Sequence, residues 1–282
     1  MIKTISYWSV KGGLDNARPI EEAMSEAKAA GFAGIELAIA PEGVLTTSTD
    51  QATCEKYRVA ALKHGLLLQT LAAGFAWGIC PTDPNEATRK KSIELHKAAL
   101  QRAAWLGCQA MLFVPGAVKI PWDPKFGPVR YDNAVKWSRE AIKQLADTAE
   151  KVNVDLGVEN VWNGLYYSPS EFIALIDEFK STPRVGVYFD CGNVLGYHQH
   201  PPHWIEMLGK RIKRVHIKDF KTSVGNLSGF CDLLEGDVPW KETMQALKKI
   251  GYDKTIVAEM MPPDETLLAR TSKAMDKILA MA

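Results

Sequence analysis

The chain has 282 residues with a hydrophobic content of 46%, and its 34 lysines and arginines nearly balance its 33 acidic residues. Such a length fits one large α/β barrel or two small domains. The balanced charge provides no strongly basic surface for a nucleic-acid backbone, so we expect no nucleic-acid partner. The sequence shows neither a signal segment at its amino terminus nor an apolar run of membrane-spanning length. We therefore expect a cytoplasmic protein without a membrane partner.

Eight segments typical of strands alternate with eight segments typical of helices. The predicted strands cover residues 2–7, 34–37, 66–71, 110–114, 154–159, 185–190, 211–219 and 255–259. The predicted helices cover residues 19–30, 50–64, 86–106, 132–152, 168–179, 202–208, 239–250 and 265–281. Regular alternation of this kind predicts a parallel sheet whose strands are joined by helices.

The connections differ in length between the two ends of the strands. Helix-to-strand connections are short and contain a glycine, such as Gly107 or Gly251, whereas strand-to-helix connections such as 115–131 and 220–238 are much longer. In a closed (β/α)8 barrel the loops at the carboxyl ends of the strands form the active site, and the opposite face needs only tight turns. We therefore predict a single-domain (β/α)8 TIM barrel of the α/β class over residues 1–282. An open doubly wound sheet is the alternative, but no Gly-x-Gly-x-x-Gly motif follows the first strand.

Metal-ligand side chains end the last four predicted strands: Glu159, Asp190, His216 and Glu259. One acid at a strand end is commonly a helix cap or a lysine partner, and one histidine is commonly structural. Four such residues at consecutive strand ends are harder to explain in that way. In a barrel they converge on one side of the mouth, where three carboxylates without a cation would repel one another. We expect them to bind a divalent metal, Mn²⁺ first, with Mg²⁺, Co²⁺ or Zn²⁺ as alternatives.

Several strand-end motifs together resemble those of one known family. The motifs are Val158-Glu-Asn160, Asp190-Cys-Gly-Asn193, Val215-His-Ile-Lys-Asp219, Glu235-Gly-Asp237 and Ala258-Glu-Met260. In order and spacing they are similar to the xylose-isomerase-like barrel superfamily of sugar isomerases and epimerases. The resemblance implies that Glu159, Asp190, His216 and Glu259 bind one divalent metal. It also implies that Glu159 and Glu259 are the catalytic acid/base pair.

The implied chemistry agrees with first principles. A proton α to a carbonyl is too weakly acidic for a side-chain base alone, and a metal ion bound to the ketone and its neighbouring hydroxyl stabilises the enediolate. One glutamate removes the proton and the other returns it on the opposite face. The predicted activity is an isomerase of carbohydrate metabolism acting on a sugar or sugar phosphate, in the first place a ketose 3-epimerase. Proton return at the neighbouring carbon would instead interconvert an aldose and a ketose.

Further polar and aromatic residues follow the strand ends and are candidates for substrate binding. Lys218 has two interpretations, a contact to a substrate oxygen or phosphate and a surface salt bridge to Asp219. Glu36 also has two, a hydrogen bond to substrate hydroxyls and a pair with a lysine. Apolar faces of a sugar pack on aromatic rings, which favours tryptophans near the mouth. The predicted set is Lys218, His198, Asn193, Glu36, Trp8 and Trp162, and Tyr7, Phe75 and Trp77 are further aromatic candidates at strand ends.

Two positions depart from the free-ketose epimerases that the chain resembles. Asn193 stands where those enzymes have a histidine, and Thr222 where they have an arginine. The Asp-x-Gly-Asn and His-x-Lys-Asp patterns look closer to hexulose-phosphate 3-epimerases and to inosose-type enzymes.

Three rival functions remain open on the same scaffold. The first is a metal-dependent lyase that dehydrates an inosose or a dehydroshikimate-like substrate. The second is a non-catalytic sugar-binding protein, since a fold does not fix a function. The third, an abasic-site endonuclease, is disfavoured because such enzymes use three zinc ions and more histidines than the six present here. A homodimer or homotetramer is a possible assembly.

Overall fold

The computed structural model describes residues 1–282, and eight parallel strands close into a barrel. The strands in chain order are β1 (Ile2–Ser6), β2 (Gly34–Ile39), β3 (Thr70–Ala73), β4 (Ala110–Phe113), β5 (Asp155–Glu159), β6 (Val185–Asp190), β7 (Ile212–Ile217) and, after a short hairpin, β10 (Thr255–Ala258). Each strand pairs with its neighbour in sequence, and β1 pairs with both β2 and β10 to complete the ring. The predicted (β/α)8 TIM barrel is confirmed.

Nine α-helices surround the barrel. They are α1 (Ile20–Ala29), α2 (Gln51–Lys63), α3 (Glu86–Trp105), α4 (Tyr131–Val152), α5 (Pro169–Asp177), α6 (Cys191–Leu195), α7 (Pro201–Leu208), α8 (Trp240–Lys249) and α9 (Leu267–Leu279). Local signals fix several starts. At α5, for example, Ser168 accepts a hydrogen bond from the backbone N–H of Glu171, with proline at the first helical position. None of the helices has both the length and the apolar composition needed to cross a membrane.

A main core of 76 buried residues fills the barrel and the space between the strands and the helices, and a small second cluster contains Cys80, Ala117 and Ile120. The turns at the amino ends of the strands are tight, and Gly107 and Gly251 adopt positive φ angles of 76° there. That left-handed conformation is strained for residues with a Cβ, so the predicted glycine turns follow from backbone sterics. The longer loops all lie at the opposite mouth.

Three local elements differ from the prediction. The third strand begins at Thr70 rather than at residue 66, because the extended segment before it forms only an isolated bridge between Leu67 and Gly34. Helix α6 was expected to be loop, and its five residues are too few to show a helical period. The loop after β7 contains an unpredicted antiparallel hairpin of β8 (Asp219–Phe220) and β9 (Phe230–Cys231).

Candidate metal centre and active-site cavity

Four barrel strands bring Glu159, Asp190, His216 and Glu259 to one point at the carboxyl-end mouth. One ligand atom from each residue lies within 4.8 Å of the others. Asp190 on β6 and His216 on β7 are partners in the sheet register, so their side chains project to the same side. Glu159 ends β5 and Glu259 directly follows β10. The predicted convergence of four distant positions is therefore present in the fold.

The same four residues each carry a buried polar atom without a hydrogen-bond partner. These atoms are Glu159 Oε1, Asp190 Oδ2, His216 Nδ1 and Glu259 Oε2. The residues themselves are at most 6% exposed. Buried polar atoms are nearly always satisfied, so four orphaned ligand atoms facing one another indicate a missing partner. Three oxygens and one imidazole nitrogen form a donor set that fits a divalent cation such as Mn²⁺ or Zn²⁺.

Glu36 on β2 fixes the orientation of the histidine in this cluster. His216 Nε2 lies 2.7 Å from Glu36 Oε1, and the Tyr188 hydroxyl donates to the other oxygen of the same carboxylate. With Nε2 bonded to Glu36, Nδ1 is the ring nitrogen that faces the cluster, 3.0 Å from Glu259 Oε2, and it is the nitrogen available to a metal ion. Glu36 is fully buried and does not line the cavity. The predicted pair with a lysine is therefore wrong, and the contact to substrate hydroxyls stays a prediction.

Asn160 and Asn193 hold Asp190 in place. The Asn160 side chain accepts a hydrogen bond from the Asp190 backbone N–H at 2.8 Å and donates to its carbonyl oxygen at 2.9 Å. The Asn193 backbone N–H donates to Asp190 Oδ1 at 3.0 Å, while the Asn193 side chain donates to the Asn160 carbonyl. Asp190 Oδ2 makes no hydrogen bond and faces the cluster, 3.2 Å from Lys218 Nζ. Asn193 also contributes to the cavity wall, so both of its predicted positions, beside Asp190 and at the cavity, are compatible with the structure.

Lys218 lies inside the cavity rather than on the surface. Its side chain is 12% exposed, and Nζ forms ion pairs with Glu259 Oε2 at 2.8 Å and with Asp190 Oδ2 at 3.2 Å. The alternative prediction of a salt bridge to Asp219 is wrong. Asp219 instead accepts hydrogen bonds from three backbone N–H groups and the Trp240 indole, and so anchors the loop after β7.

The two glutamates of the cluster have pKa values shifted in opposite directions. Burial raises the pKa of Glu159 above its ordinary value, and the charge of Glu259 adds to that, although His216 and Lys218 act against it. Burial also acts to raise the pKa of Glu259, but Lys218 and His216 outweigh it and lower that pKa. Carboxyl groups whose environments separate their pKa values are suited to different acid and base roles.

A cavity of about 630 Å³ opens above the cluster. Glu159, Glu259 and Lys218 line its polar end, and the predicted Trp8 and Trp162 lie in its wall. His198, by contrast, is exposed on the surface and is not part of the lining. The structure thus places five of the six predicted substrate-binding residues at or beneath the cavity and leaves His198 outside it.

Sequence reasoning named Trp77 as an aromatic candidate but missed several other residues of the apolar wall. Trp122 in the loop after β4 packs edge-on against Trp77, with ring centroids 4.6 Å apart, and Phe230 comes from the hairpin strand β9. All three line the cavity, as do Met260 and Met261. The available signal was positional, since these residues occur in the long loops at the carboxyl ends of the strands. Their side-chain directions depend on how those loops fold.

The closed parallel barrel and the ligand cluster at the carboxyl ends of its strands define the class, a TIM-barrel protein with a candidate metal centre. The xylose isomerase-like TIM barrel family matches residues 24–278. The chain belongs to that family, which confirms the resemblance seen in its motifs.

Solved structures of similar fold include sugar epimerases. D-psicose 3-epimerase from Clostridium cellulolyticum H10 superposes with a TM-score of 0.79 at 17% identity, over 100% of this chain and 99% of the other. The 3-keto-D-glucoside 4-epimerase of E. coli superposes with a TM-score of 0.76 at 15% identity, over 99% and 100%. At such identities the likeness establishes the fold.

One curated relative also matches by sequence. It is the uncharacterized protein MJ1311 of Methanocaldococcus jannaschii, 26% identical over 187 residues. The match covers 64% of this chain and 60% of that protein's length.

Proposed function

We propose that this protein is a divalent-metal-dependent sugar epimerase, in the first place a ketose 3-epimerase. The observation that carries the proposal is the position of Glu159 and Glu259 in one buried cluster with Asp190 and His216. The two glutamates come from strands separated by β6 and β7 in the barrel, so they approach the cluster from different sides. That arrangement suits proton removal and proton return at one carbon of a bound sugar.

A divalent ion held by Glu159, Asp190, His216 and Glu259 would polarise the substrate carbonyl and stabilise negative charge on its oxygen. The side chains then carry the proton. One glutamate oxygen takes the proton from the carbon next to the carbonyl. The electron pair of the broken C–H bond forms a C=C bond while the π pair of the carbonyl moves to its oxygen, which gives an enediolate. Return of a proton by the second glutamate to the opposite face inverts the carbon. Lys218, beside Glu259, contributes positive charge next to the reacting oxygens.

Hydrogen exchange with solvent tests the proposal directly. The Mn²⁺-loaded protein is incubated in D₂O with a panel of ketoses and keto sugars, and NMR follows deuterium at the carbon beside the carbonyl. We expect incorporation with inversion, and we expect Glu159→Gln to abolish it. Glu55→Gln changes an exposed carboxylate on α2 and serves as the matched control that retains exchange.

Two results would contradict the proposal. Undiminished exchange by the Glu159→Gln protein would remove Glu159 from the role of base. Loss of water from an inosose, followed by enone absorbance in the ultraviolet, would identify the protein as a lyase. The first proton transfer is common to both reactions, so inversion of the carbon is the observation that separates them.

A further inference from the structure

The cavity wall is more apolar than a free sugar requires. Of the 22 residues that line the cavity 14 are hydrophobic, and Trp8, Trp77, Trp122, Trp162 and Phe230 are among them. A free sugar carries a hydroxyl group on most of its carbons, and buried hydroxyl groups need hydrogen-bond partners. A wall of indole and phenyl rings supplies few of them.

The charged and amide side chains of the lining are already engaged near the metal cluster. They are Glu159, Asn193, Lys218, Asp219 and Glu259. Asn193 donates to the Asn160 carbonyl, and Asp219 accepts three hydrogen bonds from its own loop and one from the Trp240 indole on α8. Trp162 uses its indole N–H on the Asn193 carbonyl. Beyond the cluster, therefore, the wall offers little to bind a chain of hydroxyl groups.

The cavity also lacks the charge that a phosphorylated sugar needs. Lys218 is the single cationic residue of the lining, and it is flanked by Asp190 and Glu259. Thr222, in the loop after β7, is exposed and hydrogen-bonded to Asp237 at 2.7 and 2.6 Å. A phosphate dianion here would face several carboxylates with no arginine to bind it, which disfavours a phosphorylated substrate.

The rim of the cavity carries exposed apolar side chains. Leu14 is 49% exposed, Trp122 50%, Leu227 37% and Met261 42%, and all four line the cavity. Exposed apolar side chains gathered around one opening mark a surface that a ligand covers. Their position, continuous with the interior wall, places an apolar portion of the ligand next to the sugar rather than at a separate site.

We propose that the substrate is an uncharged keto sugar that carries an apolar substituent, of which an aryl aglycone is the simplest example. The inference rests on the proposed epimerase function, with inversion at a carbon beside the keto group of a glycoside rather than at C3 of a 2-ketose, because the carbonyl end must reach the glutamate pair. The sugar occupies the polar end of the cavity near Glu259, and the substituent packs against Trp122 and the other apolar residues of the rim. Trp122 is thus a specificity-determining residue.

The test compares ligands that differ only in the substituent. D-ribo-hexos-3-ulose (3-keto-D-glucose), its methyl β-glycoside and its phenyl β-glycoside are titrated into the Mn²⁺-loaded protein. Isothermal calorimetry and quenching of tryptophan fluorescence measure the dissociation constants. We expect the phenyl glycoside to bind at least about tenfold more tightly than the methyl glycoside, because the ring buries apolar area on the tryptophans. Trp122→Ala should lower that preference by at least about threefold.

The control is Tyr131→Ala, which removes an aromatic side chain of similar exposure, 44%, outside the cavity. It should retain the full preference for the phenyl glycoside.

Equal binding of the three ligands, or tighter binding of a ketose phosphate, would overturn the inference. So would a dimer in solution that Trp122→Ala dissociates, because a second copy would then cover the rim. Deuterium exchange on the same ligands reports separately on the proposed function: exchange without a phenyl preference refutes only the substrate class, whereas a phenyl preference without exchange refutes only the epimerase.

Discussion

Glu36→Gln probes the part of the site that lies beneath the metal-ligand cluster. The Glu36 carboxylate is fully buried and accepts hydrogen bonds from His216 Nε2 at 2.7 Å and from the Tyr188 hydroxyl. Both oxygens are therefore occupied by donors. A glutamine of the same shape keeps one oxygen but replaces the other by an NH₂ group, which must face either the Tyr188 hydroxyl or the imidazole N–H. The substitution thus removes the negative charge and one of the two acceptors.

The expected effect is weaker metal binding. A carboxylate behind a ligand histidine sets its tautomer and increases its basicity, and loss of such a partner costs roughly 10–100-fold in metal affinity. That loss corresponds to about 1.4–2.7 kcal/mol. Tyr188→Phe leaves the Glu36 charge in place and removes one donor to it, so we expect a smaller loss of affinity than for Glu36→Gln.

Competition with a chelating fluorophore gives the Mn²⁺ dissociation constant of each variant without reference to catalysis. Circular dichroism of the metal-free proteins tests whether the barrel is retained, and Glu55→Gln again provides a surface control. An affinity within about twofold of the parent protein, in a folded Glu36→Gln variant, would refute the assigned positioning role. A lower midpoint of unfolding with unchanged affinity would show that Glu36 serves only the packing of the barrel.

Two further predictions concern stability and the cavity wall. Burial lowers the pKa of His96 to about 4, so the unfolded chain binds the proton first and stability falls as the pH drops below 6.5. Between pH 7 and pH 5 the free energy of unfolding, measured with urea, should fall by about 2 kcal/mol, and His96→Leu should remove that part of the pH dependence. If the free energy of unfolding changed with pH in the same way in both proteins, the assignment to His96 would be refuted. A Cβ on Gly196 would lie 1.8 Å from the Trp162 ring, whereas one on Gly78 meets nothing within 4 Å. Gly196→Ala should therefore displace Trp162 and weaken binding of the phenyl glycoside severalfold in calorimetry, while Gly78→Ala should not. Equal affinities of the two variants for the phenyl glycoside would contradict the role of Trp162 in the cavity wall.

The barrel was predictable because its signals are local. Short β-branched runs, amphipathic helices and glycine at each tight turn depend on neighbouring residues, and the order of the elements then determines the sheet. The start of β3 was missed for the same reason. Leu66–Gln69 has the composition of a strand, but pairing there is limited to the bridge at Leu67, and pairing depends on the neighbouring strand.

The ligand cluster was also accessible from the sequence, because a parallel barrel brings all carboxyl strand ends to one mouth. The roles of Glu36 and Lys218 were not. Glu36 meets His216 across 180 residues of sequence, and the contact depends on side-chain depth within the barrel rather than on strand order. Lys218 and Asp219 are adjacent in sequence, yet one faces the cluster and the other its own loop. Alternation along a strand end does not reveal which of two neighbours points inward.

The structure separates the groups suited to chemistry from the groups suited to selecting a substrate. Glu36, Glu159, Asp190 and His216 lie on barrel strands, where register and buried hydrogen bonds fix their positions. The apolar wall comes largely from the loops, Trp122 after β4 and Leu227 within the loop after β7 among them. Loop residues can change without disturbing the cluster, because the strands hold it independently. Different loop sequences are therefore compatible with the same ligand cluster, which is why substrate identity and reaction type need separate experiments.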